Sequence, residues 1–575
     1  MRRTLGLLVA MGAGAFWAAC TDPSFVLLPP ADAGPDAAVT DAPPGDDAAL
    51  PADAGEEPLP VDLEDFHVPG TQMGDVPLTS FMRPWDCAAC HGASNMPAAP
   101  VPTWSTSLMS VAGRDPLFFA QLTTANQDVP GVGYYCLRCH VPMSIVTGHA
   151  ADPTGDSLTD FDKDGVTCHF CHALVDPVSR DGAPDGDAPI LASLADLPTS
   201  YGNSQFVLDP KGLRRGPYRD AGALHPYTGS PFHRTADLCG TCHDVGNVAV
   251  DRVDGGYGYN APKQRAANAN PTAQFPLERT YSEWKLSAFG RGVVDMGGRF
   301  GGPGAKVVST CEDCHMPREE AKGCVFEPPR IDLARHDFAG ASAWVLDIVS
   351  LREGTNVDQP ALARGHVNAV SMLQRAATLT LALAGTDVRV RVQNESGHKL
   401  PTGHIEGRRV FLNVIFTDAQ EKVLAEHGGW SPMTGDLTGL PTTIFEMVIG
   451  LSAEAAKQTG LPPGPTTHMS LADVVVKDNR IPPRGFTVAA YEAVGAGAVP
   501  STYADGENWA EVPFSVPKGA THVKARLLYQ TVTREYVEAL VTGNKTNAWG
   551  KELESLWLQT DRDPPITMAI AEMDL

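Results

Sequence analysis

From about residue 376 onward, apolar residues recur at every second position. Val388, Val390 and Val392 alternate with Arg389 and Arg391. Val410, Leu412 and Val414 alternate again, and Val523, Ala525 and Leu527 alternate with Lys524 and Arg526. A period of two puts one set of side chains on a single face of a pleated strand, so these are half-buried strands. Runs 487–494 and 509–516 predict two more. Such strands joined by long Gly/Pro-rich loops predict an antiparallel sandwich. Two helices, over 535–541 and 551–558, are expected to close it, and residues 347–375 read as a bridge from the preceding half.

Upstream the pattern fades. Residues 176–234 show neither a helical nor a strand period. A structureless loop of that length counts against a compact domain unless something other than side chains supplies the apolar core. Short helices are expected at 108–122 and 281–289. The chain begins with Arg2 and Arg3 followed by an apolar run from Leu5 to Trp17. That is a signal-peptide pattern, too short for a comfortable permanent span. It ends Phe16-Trp17-Ala18-Ala19-Cys20, where small residues precede a cysteine as in a bacterial lipobox. Cys20 is therefore the expected lipidation site, with Trp17 standing where Leu is usual. Residues 21 to about 60 are mostly Ala, Pro, Asp and Gly, without any apolar period, and read as a tether. The expected organisation is 1–20 signal peptide, 21–64 tether, 65–345 an N-terminal domain of short helices and loops, 346–375 bridge, and 376–575 a sandwich-like domain. The fold class is α+β.

The net charge of −24 argues against a nucleic-acid partner, which basic patches serve. Acidity of this kind chiefly confers solubility; steering a basic redox partner is the second reading. The chain has 12 cysteines. Ten of them fall in five copies of C-x-x-C-H: Cys87/Cys90/His91, Cys136/Cys139/His140, Cys168/Cys171/His172, Cys239/Cys242/His243 and Cys311/Cys314/His315. This is the attachment signature of a c-type haem. Two thiols add across the vinyl groups, and the adjoining imidazole becomes the proximal iron ligand. A zinc ribbon or a thioredoxin-like dithiol needs no His after every second Cys, and chance supplies on the order of 0.01 such pentapeptides here. The motifs imply five haem c groups, and porphyrins would be the apolar core that 176–234 lacks. Covalent haem implies export. Cys20 and Cys324 remain, and Cys324 reads as a small buried residue.

Several segments carry a resemblance: Arg114-Asp115-Pro116-Leu117-Phe118-Phe119, Gly165-Val166-Thr167-Cys168, Cys239 to Val245, Asn394 to Gly403, Asp478 to Pro483, and Leu527 to Thr531. With the haem motifs, they make the chain similar to pentahaem c-type cytochromes of the family related in haem packing to hydroxylamine oxidoreductase and pentahaem nitrite reductase. The likeness spans nearly everything after residue 65. Nitrite reductases of that kind use Lys as proximal ligand at the catalytic haem. All five motifs here end in His, which counts against that chemistry, and the cross-linking Tyr of the hydroxylamine enzyme has no identifiable motif.

The sixth ligand decides what each iron does. An imidazole saturates it for electron transfer; an open position admits small molecules. Candidate distal ligands are His225 and His233, upstream of the fourth motif, and His336 in Arg335-His336-Asp337-Phe338-Ala339-Gly340, which resembles the family's distal segment. His149 and His67 are lesser candidates. His398 is expected to reach a haem from the β-domain, because Pro401 and the flanking glycines constrain its loop, with His404 behind it. His169 reads as exposed; His366, His427, His468 and His522 read as ordinary surface residues. Met109 and Met143 are better as packing residues than as thioether ligands. Asp160 to Gly165 begins like a calcium loop, but position twelve is Cys171, so a polar turn presenting the third haem is preferred over a calcium site.

The leading functional expectation is an electron carrier in the bacterial envelope, a periplasmic or surface lipoprotein whose partners are other redox proteins and, through its anchor, a membrane. The alternatives are a reductase or oxidase of a small nitrogen or sulfur compound at one open haem, and a partner-binding β-module tethered to haems. Motifs 2 and 3 are closest in sequence, so their haems are expected to stack.

Overall fold

The computed structural model describes residues 63–575 apart from Ser94, Ser179 and Leu440. The expected signal peptide, Cys20 and the tether up to residue 62 lie outside the described residues. What is described is mixed α and β, as expected.

Four of the five motifs fold as a helical turn. They lie in α1 (Pro84–His91), α3 (Gly133–His140), α4 (Cys168–His172) and α7 (Cys311–His315), while motif 4 starts in α5 (Ala236–Gly240) and runs on as a turn. Between them lie α2 (Pro116–Asp128) and α6 (Thr280–Leu286). A helix sets residues three apart on one face, so both thiols of a motif point the same way. Local chemistry starts these turns. Thr167 and Thr310 are N-caps, accepting from Phe170 N at 3.3 Å and Asp313 N at 3.2 Å. Asp313 returns the bond to Thr310 N at 3.0 Å, a reciprocal cap.

Directly after motif 4 runs an antiparallel sheet that the pattern did not announce. Its strands are β1 (Val245–Val253), β2 (Gly256–Tyr259) and β3 (Gln274–Glu278), with β1 in the middle. Its register sets Val245 opposite Glu278. The expected bridge is a helical pair, α8 (Ala343–Glu353) and α9 (Gln359–Ala376).

Two of the antiparallel sheets in the C-terminal half face each other across one core. One is β4 (Ala377–Ala384), β5 (Asp387–Asn394) and β8 (Trp509–Ser515), with β5 central. The other runs β7 (Val423–His427), β6 (Arg409–Thr417), β9 (His522–Gln530) and β10 (Ile566–Asp574), with Ile444–Phe445 also on β6. The residues that alternate in sequence meet between the sheets. Val388, Val390 and Val392 from one, and Val410, Leu412, Val414, Val523, Ala525 and Leu527 from the other, share a single core. Arg389 and Arg391 turn outward and pair with Glu511 across the strand. The closing helices are α10 (Arg534–Gly543) and α11 (Trp549–Gln559).

One local expectation fails, and one strand goes unannounced. Run 487–494 is a helix, Val488–Ala493, because Ala489, Ala490, Glu492 and Ala493 favour helix and Tyr491 buries on its inner face. Strand β10 was missed because its Met, Ala and Glu residues carry weak strand preference; pairing with β9 imposes it.

The described residues form one compact unit. Leu117 and Ala120 of α2 share a core with Tyr536, Leu540 and Leu553 of the closing helices. Val250 and Phe275 share another with Ile405 and Ile449. The two sequence patterns therefore belong to elements that are packed on one another.

Candidate functional site

The motif thiols come together in an order unlike their sequence order. Cys87 contacts Cys168, Cys139 contacts Cys242, and Cys239 contacts Cys311. Motif 4 thus touches motif 2 through one thiol and motif 5 through the other, and motif 1 meets motif 3. In these thiol contacts motif 2 has motif 4 as neighbour, although motif 3 is nearer in sequence. The Cys168 hydrogen bond holds the Cys87 thiol down to about 7. Burial pushes Cys136, Cys171 and Cys314 up to about 12.

Cys90, expected with Cys87 to hold the first haem, takes no part in these thiol contacts among the described residues. It lies in the last turn of α1 and is half-exposed, and it meets the rest of the fold through its backbone, where Cys90 O accepts from Val325 N at 3.0 Å. That bond brings the segment after motif 5 against motif 1, beside the Gly323 carbonyl that faces His91. All eleven described cysteines, Cys90 included, are of intermediate exposure, and among the described residues none is joined to another in a disulfide. Cys324 is therefore not the buried residue expected: it sits in the connection between strands Arg318–Ala321 and Arg330–Ala334, which leaves it partly open to solvent.

Three of the motif imidazoles are oriented alike. Nδ1 of His91 donates to Gly323 O at 2.7 Å, that of His172 to Arg215 O at 2.6 Å, and that of His315 to Ala339 O at 2.7 Å. Committing Nδ1–H leaves Nε2 with its lone pair outward, the tautomer an iron ligand requires. Burial keeps these rings neutral, His315 falling to about 4. His243 differs. Its Nδ1 faces the Glu278 carboxylate at 3.2 Å. Desolvation opposes charge on His243, 46% of whose side chain is nevertheless exposed, and Glu278 outweighs it, lifting the ring to about 9. His140 stacks on Phe118 with centroids 3.7 Å apart, and burial lowers it to about 4.

Other imidazoles face these rings. His225 lies 6.4 Å from His91, His336 lies 6.3 Å from His172, and His398 lies 6.4 Å from His315, all between ring centroids. Two imidazoles sharing one iron are about 6 Å apart in this measure, from two metal–nitrogen bonds of about 2 Å and two ring radii of about 1 Å. Each facing ring also commits Nδ1 to a carbonyl: His225 to Pro226, His336 to Ala334 and His398 to Lys399. The donor set therefore fits haem iron at motifs 1, 3 and 5. His233 also faces His172, parallel at 5.8 Å, but its Nε2 is taken by Cys171 O at 3.0 Å.

The remaining histidines have other occupations. His149 commits both nitrogens, to Thr147 and to Asp162, so neither is presented to an iron. His67 sits 3.4 Å from the Asp196 carboxylate. His404 is half-buried beside Tyr536, 3.3 Å from its hydroxyl. His169 is buried, not exposed: it accepts from Met82 N and donates to Gly212 O, because the motif 3 helix turns it inward. His468 is held by Asp128 at 2.7 Å, His366 by Asp347, and His522 by Asp574; the His427 ring packs near Phe514. Met143 is core, against Phe81 and Phe170. The Asp160–Gly165 turn is spent on protein partners, Asp164 on Arg83 and Asp162 on His149 and Thr159.

The loop carrying His398 is pinned by buried charges whose role the sequence did not announce. Lys399 Nζ reaches Asp478 at 2.7 Å, Arg480 binds the same carboxylate at 2.7 Å, and Arg480 lies 3.0 Å from Glu283 of α6. Glu283 in turn accepts from Lys399 N at 3.0 Å and Thr402 Oγ1 at 2.8 Å. Despite burial, Arg480 and Lys399 hold the Asp478 carboxyl below its usual range. Glu278 and the carbonyls of Gly323, Arg215 and Ala339 were missed as well, since nothing local marks an acceptor that the fold brings in from 24 to 232 residues away.

No family model matches the chain, and no curated protein matches it. Among solved structures it is similar to a penta-heme cytochrome c552 from Thermochromatium tepidum. The TM-score is 0.46 and the identity 17%, over 86% of this chain and 99% of that one.

Proposed function

We propose that this chain is a pentahaem c-type cytochrome whose work is electron transfer in the bacterial envelope. The observation that carries the reading is the set of three imidazole pairs at iron-bridging distance, each with one member in a C-x-x-C-H motif. Bound haem would supply one-electron chemistry. The chain's residues do the rest. The ten motif cysteines hold the haems, Cys87 with Cys90 at the first, and His91, His140, His172, His243 and His315 are proximal ligands. His225, His336 and His398 would supply a second imidazole at motifs 1, 3 and 5, with His233 as the alternative to His336. His67 and His404 are the candidates left for motifs 2 and 4. Residues 65–345 are the haem-bearing part and 376–575 the sandwich that delivers His398. Signal peptide, lipidated Cys20 and tether hold the protein at a membrane surface in this reading, with redox proteins as partners.

A second reading, a reductase or oxidase of a small nitrogen or sulfur compound, is favoured by motifs 2 and 4. Among the described ring contacts, neither His140 nor His243 is faced by another imidazole. Two measurements decide. Intact mass should exceed the mature polypeptide by five haems that acidified acetone does not strip; four or fewer in a fully matured sample breaks the first reading. Carbon monoxide should leave the reduced spectrum unchanged; a shifted band favours the second.

A further inference from the structure

The proximal imidazole of motif 4 is set apart by what it donates to. Three others give Nδ1–H to a neutral backbone carbonyl, whereas His243 faces the Glu278 carboxylate at 3.2 Å. The fold builds this contact. Strand β1 leaves motif 4 two residues after His243, and β3 returns with Glu278 opposite Val245. Thr280 Oγ1 donates to the same carboxylate oxygen at 3.0 Å and also touches Thr402 Oγ1 at 2.9 Å, tying Glu278 to the His398 loop.

Resting on the pentahaem reading, we infer that Glu278 is a positioning residue that makes His243 the most electron-rich of these proximal ligands and so lowers the reduction potential of the haem held at motif 4. A carboxylate draws the imidazole proton more strongly than a carbonyl does, giving the ring imidazolate character and raising its basicity toward iron. A stronger anionic donor stabilises the ferric state over the ferrous. The place matters. Motif 4 is the junction, its thiols touching motifs 2 and 5. A low potential there makes it the point of the array least able to keep an electron.

The test is a stepwise spectroelectrochemical titration of the intact holoprotein, with haem load checked by mass. Glu278→Gln keeps a hydrogen-bond acceptor but removes the charge, and one of five potentials should rise while four hold. Thr280→Val leaves the carboxylate but removes a donor from it, so the same potential should fall. Five haems with all potentials unmoved in Glu278→Gln overturns the inference and leaves the pentahaem reading standing. A wild-type load below five overturns that reading instead. Should Glu278→Gln load only four, Thr280→Val decides alone, and an unmoved potential there overturns the inference.

Discussion

His398 shows how much one side chain depends on its setting. Its Nδ1 is fixed by Lys399 O, and Lys399 itself is buried among Asp478, Arg480 and Glu283. Four charges removed from water persist only because each is paired and hydrogen-bonded. Their yield is a rigid loop that crosses from the sandwich to α6 and holds the His398 ring 20° from parallel with His315. His398→Ala is expected to turn one haem from low-spin to high-spin and open it to carbon monoxide, leaving the other four spectra intact. An unchanged low-spin spectrum refutes His398 as a ligand. The loop's constraint was legible in Pro401 and its glycines. The charges that exploit it were not, because Lys399, Asp478 and Glu283 are ordinary surface types until the fold encloses them.

At the scale of elements, the clearest device is the turn from α11 into β10. Asp561, Arg562 and Asp563 all have positive φ, a conformation that Asp tolerates better than most side chains. Asp563 is buried, and its carboxylate accepts from Val532 N at 2.7 Å, tying the turn to the end of β9. Burial raises its carboxyl from 3.8 to about 7, against the pull of that backbone bond. The folded state therefore keeps a proton that the unfolded state loses above about pH 4. Asp563's stabilising share is complete below about pH 4 and is lost as pH rises toward 7. Asp563→Asn keeps the shape and the acceptor, so urea midpoints should lose part of their decline between about pH 4 and 7; an unaltered pH slope counts against this assignment. Strands β5, β6 and β9 could be read from alternation because one face of each meets the other sheet. Strand β10 and helix Val488–Ala493 could not, since their faces are set by neighbours rather than by period.

At the scale of the whole molecule, two halves with different sequence patterns are packed together through α2 with the closing helices and through β1 and β3 with Ile405 and Ile449. The sandwich, and with it the loop carrying His398, is thus fixed against the half that bears the C-x-x-C-H motifs, which disfavours the reading of it as a free binding module. The proposed membrane anchor rests on the sequence pattern before residue 63. Cys20→Ser should move the protein to the soluble fraction with its haem spectrum unchanged; a wild type already soluble removes the lipid anchor from the account.

By itself the sequence determined what is local: five C-x-x-C-H turns, the strand period of the C-terminal half, the signal-peptide pattern, and the constrained loop at His398. Each is encoded within a few residues of chain, through covalent spacing or the two-residue pleat. The tertiary structure alone decided what faces what. It brought His225 to His91 and His336 to His172, put motif 2 beside motif 4, and set a carboxylate rather than a carbonyl behind His243. Those relations span tens to hundreds of residues and depend on sheet register and helix packing, which no single stretch of sequence contains.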